Sequence, residues 1–192
     1  MKKFLLATLC ITLLAVSVVS VPLSHADETI LYNRYNIHAQ ADRNGLLKAS
    51  YANYTDPGAG HVIIPPNTKL IISPWKRFFK DYGFKFELPD GRKGVFEVHV
   101  KRIGMSTADY LKLIMSDKPV SLKGLTALDK KGVKQGKALV GMTKKGVMTA
   151  LGYPSPHATP SIDDNIWKYW RNRFRTMDVE FNDKGRVSHI QY

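Results

Sequence analysis

Cysteine is nearly missing: one residue, Cys10, stands in a chain of 192. That excludes a disulfide framework and any zinc site built on several thiolates. Acid is scarce too, with 16 Asp and Glu against 29 Lys and Arg, a balance of +13. Glycine, at 14, and proline, at 10, are too few for a collagen-like or low-complexity chain. No Walker-type phosphate loop occurs, and Ser50, Ser73, Ser106 and Ser188 lack a G-x-S-x-G setting. No two histidines stand at i, i+3 or i, i+4, so no local metal-ligand pair is visible.

What is there is ordinary globular usage, 44% hydrophobic and 23% charged, enough for one domain or two small ones. The chain opens with Lys2 and Lys3, an apolar run from Phe4 to about Leu23, then Ser24-His25-Ala26 before Asp27 and Glu28. This is the pattern of a secretory signal peptide over residues 1–26. The run is nearly long enough for an uncleaved anchor, the rival reading, but the Ser-x-Ala exit is well placed for cleavage. Cys10 lies inside the run rather than at its end, so it is not placed as a lipoprotein anchor. Losing Lys2 and Lys3 with the leader takes the balance from +13 to +11 and leaves no thiol chemistry. The expected location is the periplasm, with association to the outer membrane open. An exported basic protein meets anionic lipid, lipopolysaccharide or wall polymer rather than nucleic acid.

Residues 27–104 read as an antiparallel β-rich domain. His61–Ile64 and Lys69–Ile72 are strands around the Pro65-Pro66-Asn67 stop. Phe84, Phe86 and Leu88 alternate up to the Pro89–Arg92 turn, and Val95 to Val100 alternate after it, which makes a hairpin. Ser106-Thr107-Ala108-Asp109 is a capping box that opens a helix to about Met115. Residues 116–137, rich in Lys and Gly, are expected to be a mobile connector with at most a short turn near Leu125–Leu128. In residues 138–192, Thr143 caps a short helix that Gly152 and Pro154 end. Strands at Ile166–Phe174, Thr176–Phe181 and Arg186–Tyr192 follow. The fold class is α+β.

Gly141-Met142-Thr143 followed by Leu151-Gly152-Tyr153-Pro154, the Trp167-Lys168-Tyr169 strand, and the Val179 to Val187 hairpin together resemble the BamE (SmpA/OmlA-like) envelope domain family. The resemblance covers roughly residues 138–192. It implies a helix on a three-stranded antiparallel sheet that binds partners and lipid without catalysis, and no cofactor. One departure is Gly146, at the helix position where that family often carries Glu or Gln, so the capping box looks incomplete.

Binding candidates come from two aromatic–basic clusters. Strand alternation sets Trp167, Tyr169, Arg171, Arg173 and Arg175 on one face and Trp170 on the other. Trp170, Arg171, Arg173 and Arg175 form the first cluster; Asp178 and Glu180 on the next strand are its possible ion-pair partners. Trp75, Lys76 and Arg77 form the second, either an exposed loop touching anionic lipid or a short helix covering the sheet. The expected partners are an envelope protein or an anionic lipid or lipopolysaccharide; no metal and no small-molecule cofactor is expected. The competing expectation is a secreted hydrolase of wall or glycan material, which needs a nucleophile or two carboxylates brought together by the fold; Asp81, Glu87, Glu97 and Asp109 are the available acids, and a pair about 5–10 Å apart in a deep cleft would support it.

Overall fold

A computed structural model describes residues 28–77 and 80–192, and of Arg77, Lys80 and Asp81 the backbone alone. The leader and Phe78-Phe79 therefore lie outside the described residues. Among the described residues the architecture is mixed α+β: an eight-stranded sheet, a separate three-stranded antiparallel sheet, and four helices.

The first sheet is built from β1 (Thr29–Asn33), β2 (Ile37–Ala41), β3 (Leu47–Ser50), β4 (His61–Ile64), β5 (Lys69–Arg77), β6 (Lys80–Glu87), β7 (Lys93–Glu97) and β8 (Met115–Ser116), in the order β4-β2-β3-β7-β6-β5-β1-β8. Alternation puts Phe84, Phe86, Leu88, Phe96 and Val98 inside. Phe84 and Phe96, directly opposite on β6 and β7, stack at 4.7 Å. The expectation of a purely antiparallel sheet is corrected at one ladder: β3 and β7 run parallel, Leu47 opposite Gly94 and Ser50 opposite Glu97. The chain returns to β3 only after three intervening strands, a distance that local alternation does not report. α1 (Val100–Ile103) and α2 (Thr107–Ile114) then cover the sheet. His99, read as part of a strand, instead caps α1 by accepting from the Arg102 N–H. Ser106 caps α2 through the Asp109 N–H.

The expected connector is also corrected. It contains a regular helix, α3 (Ala127–Gln135), with Thr126 as its cap. Lys and Gly content masked a T-x-x-D capping box at Thr126–Asp129. α4 (Lys144–Leu151) then packs on the three-stranded sheet of β9 (Ile166–Asn172), β10 (Arg175–Phe181) and β11 (Val187–Gln191), in the order β11-β10-β9. Trp167, Tyr169, Val179, Phe181 and Val187 meet Val147, Ala150 and Leu151 in a second core. Trp167 is 1% exposed.

Asp129 links α3 to α4. The carboxylate is fully buried. It accepts from the Thr126 N–H at 2.9 Å, which closes the α3 box, and from the Thr143 N–H at 2.9 Å and hydroxyl at 3.1 Å. Thr143 in turn caps α4 through the Gly146 N–H. Asp129 thus occupies the place of the Glu or Gln missing at position 146. A Cβ on Gly146 would lie 2.1 Å from Asp129 Oδ1. Burial alone would raise the Asp129 pKa, but the Thr126 and Thr143 donors outweigh it and hold the carboxyl below its usual value.

Asp129→Ala removes a cap from two helices and is expected to lose about 2–4 kcal/mol. Gly146→Glu forces a side chain onto Asp129 and is expected to lose about 1–3 kcal/mol. In the double variant the new Glu caps Thr143 from within α4, so urea unfolding should show a loss well below the sum of the two. Additive losses would contradict the capping role of Asp129.

Candidate functional site

The residues singled out from the sequence do not form one site: Arg173 and Arg175 stand at a hairpin tip, Arg171 lines a cleft, and Trp170, Trp75 and Lys76 lie elsewhere. The first surface is the tip of the β9–β10 hairpin. Asn172 Oδ1 accepts from the Phe174 and Arg175 N–H groups, both at 3.0 Å, and this Asx turn reverses the chain. Phe174 is left 82% exposed. The Arg173 guanidinium carbon lies 5.2 Å from its ring centre. Neither Arg173 nor Arg175 has an ion-pair partner among the described residues. The carboxylates weighed as their partners are engaged or placed elsewhere: Asp178 stands opposite Lys168 and pairs with it, and Glu180 stands opposite Ile166.

Arg171 and Trp170 have other roles. Arg171 Nη2 donates to Asp56 Oδ2 at 2.7 Å, and its guanidinium carbon lies 5.0 Å from the Tyr192 ring centre. The Thr55 and Asp56 N–H groups donate to the Trp170 and Arg171 carbonyls, at 3.0 and 2.8 Å, so the loop after β3 covers the β9 edge. Trp170 points to the opposite face, where it packs against the first core and stacks on His157 at 6.2 Å. It belongs to the junction of the two units. Trp75 sits on β5, half-buried against Tyr82 at 5.7 Å, and Lys76 beside it is exposed. Both the loop and the helix expected there are replaced by paired strands that run to Arg77 and resume at Lys80. The side chain of Arg77 lies outside the described residues.

The second surface is a cleft of about 480 Å³ where the two units meet. Its walls come from Thr55 and Asp56, from His61 and Ile63 on β4, from Gln135 to Ala138 after α3, and from Arg171, Met177 and Tyr192. Sequence reading did not find it, because these residues are far apart along the chain. Behind it lies a polar seam. The last turn of α4 leaves its carbonyls without helical partners. Asn36 N–H donates to Thr149 O at 2.9 Å, Asn36 Nδ2 to Ala150 O at 3.0 Å, and Asn53 Nδ2 donates to Leu151 O. His38, 2% exposed on β2, brings Nε2 to 2.9 Å from Ala150 O. A Cβ on Gly152 would lie 2.2 Å from Asn53 Nδ2, and its φ of +85° also favours glycine.

The seam dictates the state of His61. A carbonyl only accepts, so His38 Nε2 carries the proton and its Nδ1 is an acceptor. That Nδ1 lies 3.0 Å from His61 Nε2, which must therefore donate. Burial lowers the pKa of His38 to about 4, outweighing the carbonyl bond that raises it; His61 lowers it further. Burial also lowers the pKa of His61, with nearby Asp56 opposing.

The chemical candidates for catalysis do not converge. Glu87 and Glu97 stand at opposite ends of the β6–β7 ladder, and Asp109 is engaged by Lys112. The side chain of Asp81 is outside the described residues. Ser155 and His157 are 2.7 Å apart, but Ser155 is 3% exposed and so not presented to a substrate. Among the described residues no group of three or more His, Cys, Asp or Glu is arranged to hold a metal ion, and no helix is long and apolar enough to cross a membrane. No family model, curated protein or solved structure matches the chain.

His38 is neutral when folded and ordinary, near 6.5, when unfolded. Its contribution is therefore complete above that value and is lost as pH falls from there through about 4. The loss expected over that window is roughly 3 kcal/mol. Urea midpoints measured across the window for the native chain and for His38→Gln should differ in slope, the variant being flatter. Equal slopes would remove His38 from the account.

Proposed function

We propose that this is an exported envelope protein that binds rather than transforms, and that it contacts an anionic envelope component through the β9–β10 hairpin. The observation that carries the reading is the tip itself. An aromatic ring, 82% exposed, stands between two arginines that no acid neutralises among the described residues. Such a tip pairs apolar insertion with charge attraction, as anionic surfaces require. Support also comes from the signal-like leader and from the net charge of +13. The Thr143-capped α4 packed on a three-stranded meander is the arrangement that the BamE-like resemblance leads one to expect. On this reading a domain of that type serves a different envelope role here, joined to an eight-stranded sheet. An envelope protein with an acidic surface is the other partner that the same tip fits.

Arg173→Ala with Arg175→Ala is expected to weaken binding to phosphatidylglycerol-containing vesicles by roughly 30-fold, about 1 kcal/mol per arginine. Phe174→Ala should weaken it further. Neither change should lower thermal stability, since Arg173, Phe174 and Arg175 are all exposed. Co-sedimentation with those vesicles and with pure phosphatidylcholine checks this. Unchanged sedimentation of a folded variant would refute the hairpin contact.

A further inference from the structure

We infer that the cleft between the two units binds a phosphoryl group, held by Lys137 and Arg171 with His61 as the third donor. The cleft is distinct from the hairpin tip, and the inference stands or falls separately from it. Its volume, about 480 Å³, is that of a small-molecule site. Ile63, Leu151 and Met177 supply an apolar wall beside the polar groups. The three donors come from three separate parts of the chain, β4, the segment after α3, and β9, and all line the one cleft.

Each donor has capacity to spare. Lys137 has no ion-pair partner among the described residues. Arg171 spends one nitrogen on Asp56, while Tyr192 lies against the guanidinium, so the remaining N–H groups are available and already oriented. His61 spends Nε2 on His38, and its Nδ1 has no partner among the described residues. In neutral His61 that Nδ1 is an acceptor and cannot serve an anion. Protonation converts it to a donor without disturbing the bond to His38. Phosphoryl binding is therefore coupled to proton uptake at His61 and tightens as pH falls. The charged and titratable groups around that ring are His38 from β2, Asp56 from the loop after β3, Lys137 after α3, Arg171 from β9 and Tyr192 just after β11. Among the described residues Asp56 is the acidic side chain on the cleft wall, and it competes with the ligand for Arg171.

The test titrates the purified protein with inorganic phosphate and, separately, with monomeric dihexanoyl phosphatidylglycerol. The readouts are the His61 imidazole resonances and the heat of binding, at about pH 5.5 and about pH 7.5. Saturable binding is expected of both probes; for the phosphatidylglycerol, a monoanion at both pH values, it is tighter at the lower pH and accompanied by proton uptake. Lys137→Ala should weaken it by roughly tenfold or more, and Asp56→Asn should strengthen it. Lys184→Ala, on the exposed β10–β11 turn outside the cleft, should leave it unchanged. Equal affinity for both probes identifies free phosphate chemistry as sufficient; a strong preference for the lipid identifies a headgroup. No saturable change at His61 with either probe would overturn the inference, as would binding indifferent to Lys137→Ala.

Discussion

Eight residues are too few for a helix to hold itself in water, so α4 depends on what caps its ends. Its first turn rests on Thr143, which Asp129 of α3 positions. Its last carbonyls are taken by Asn36 just before β2, His38 on β2 and Asn53 in the loop after β3. Buried carbonyls without partners cost about 1–3 kcal/mol each, so these contacts are not optional. They come from the opposite end of the sequence. The helix that organises the second core therefore exists in this form only when the first sheet is already in place.

This dependence gives the surface its shape. The bonds that cap α4 also fix the distance between β4, the end of α3 and β9, and the cleft is the space that remains. His38 carries information across the seam. Its bond to Ala150 sets its own tautomer, and that sets the tautomer of His61 at the cleft wall. The hairpin tip, by contrast, is turned by its own Asx turn on the end of the β9–β10 ladder. One surface is preorganised by the interior of the protein and the other is an exposed projection of it.

The parts legible in the sequence were those governed by near neighbours. Thr143, Gly152 and the apolar face of α4 announced the helix; alternation put Trp167 and Tyr169 on one face, and the family resemblance, not the alternation, implied that this is the face the helix buries. The β6–β7 hairpin followed from two alternating runs across Asp90-Gly91. What escaped was governed by distant partners. Nothing local reports that β3 pairs parallel with β7, nor that His38 meets Ala150 112 positions away. α3 did carry a signal, the capping box at Thr126 and Asp129, which the Lys-rich surround obscured. Of the candidate site, the arginines were legible as a cluster. Their division between a tip and a cleft was not, because it depends on Asp56 and on a turn that ends the strand alternation at Asn172.

The central claim is that the polar seam makes one folding unit of two cores. Scanning calorimetry tests it most directly. The account predicts a single transition whose calorimetric and van't Hoff enthalpies agree, with the fluorescence of Trp167, read in a chain carrying Trp75→Phe and Trp170→Phe, melting together with the far-UV circular dichroism. Two separable transitions, one for each sheet, would contradict it.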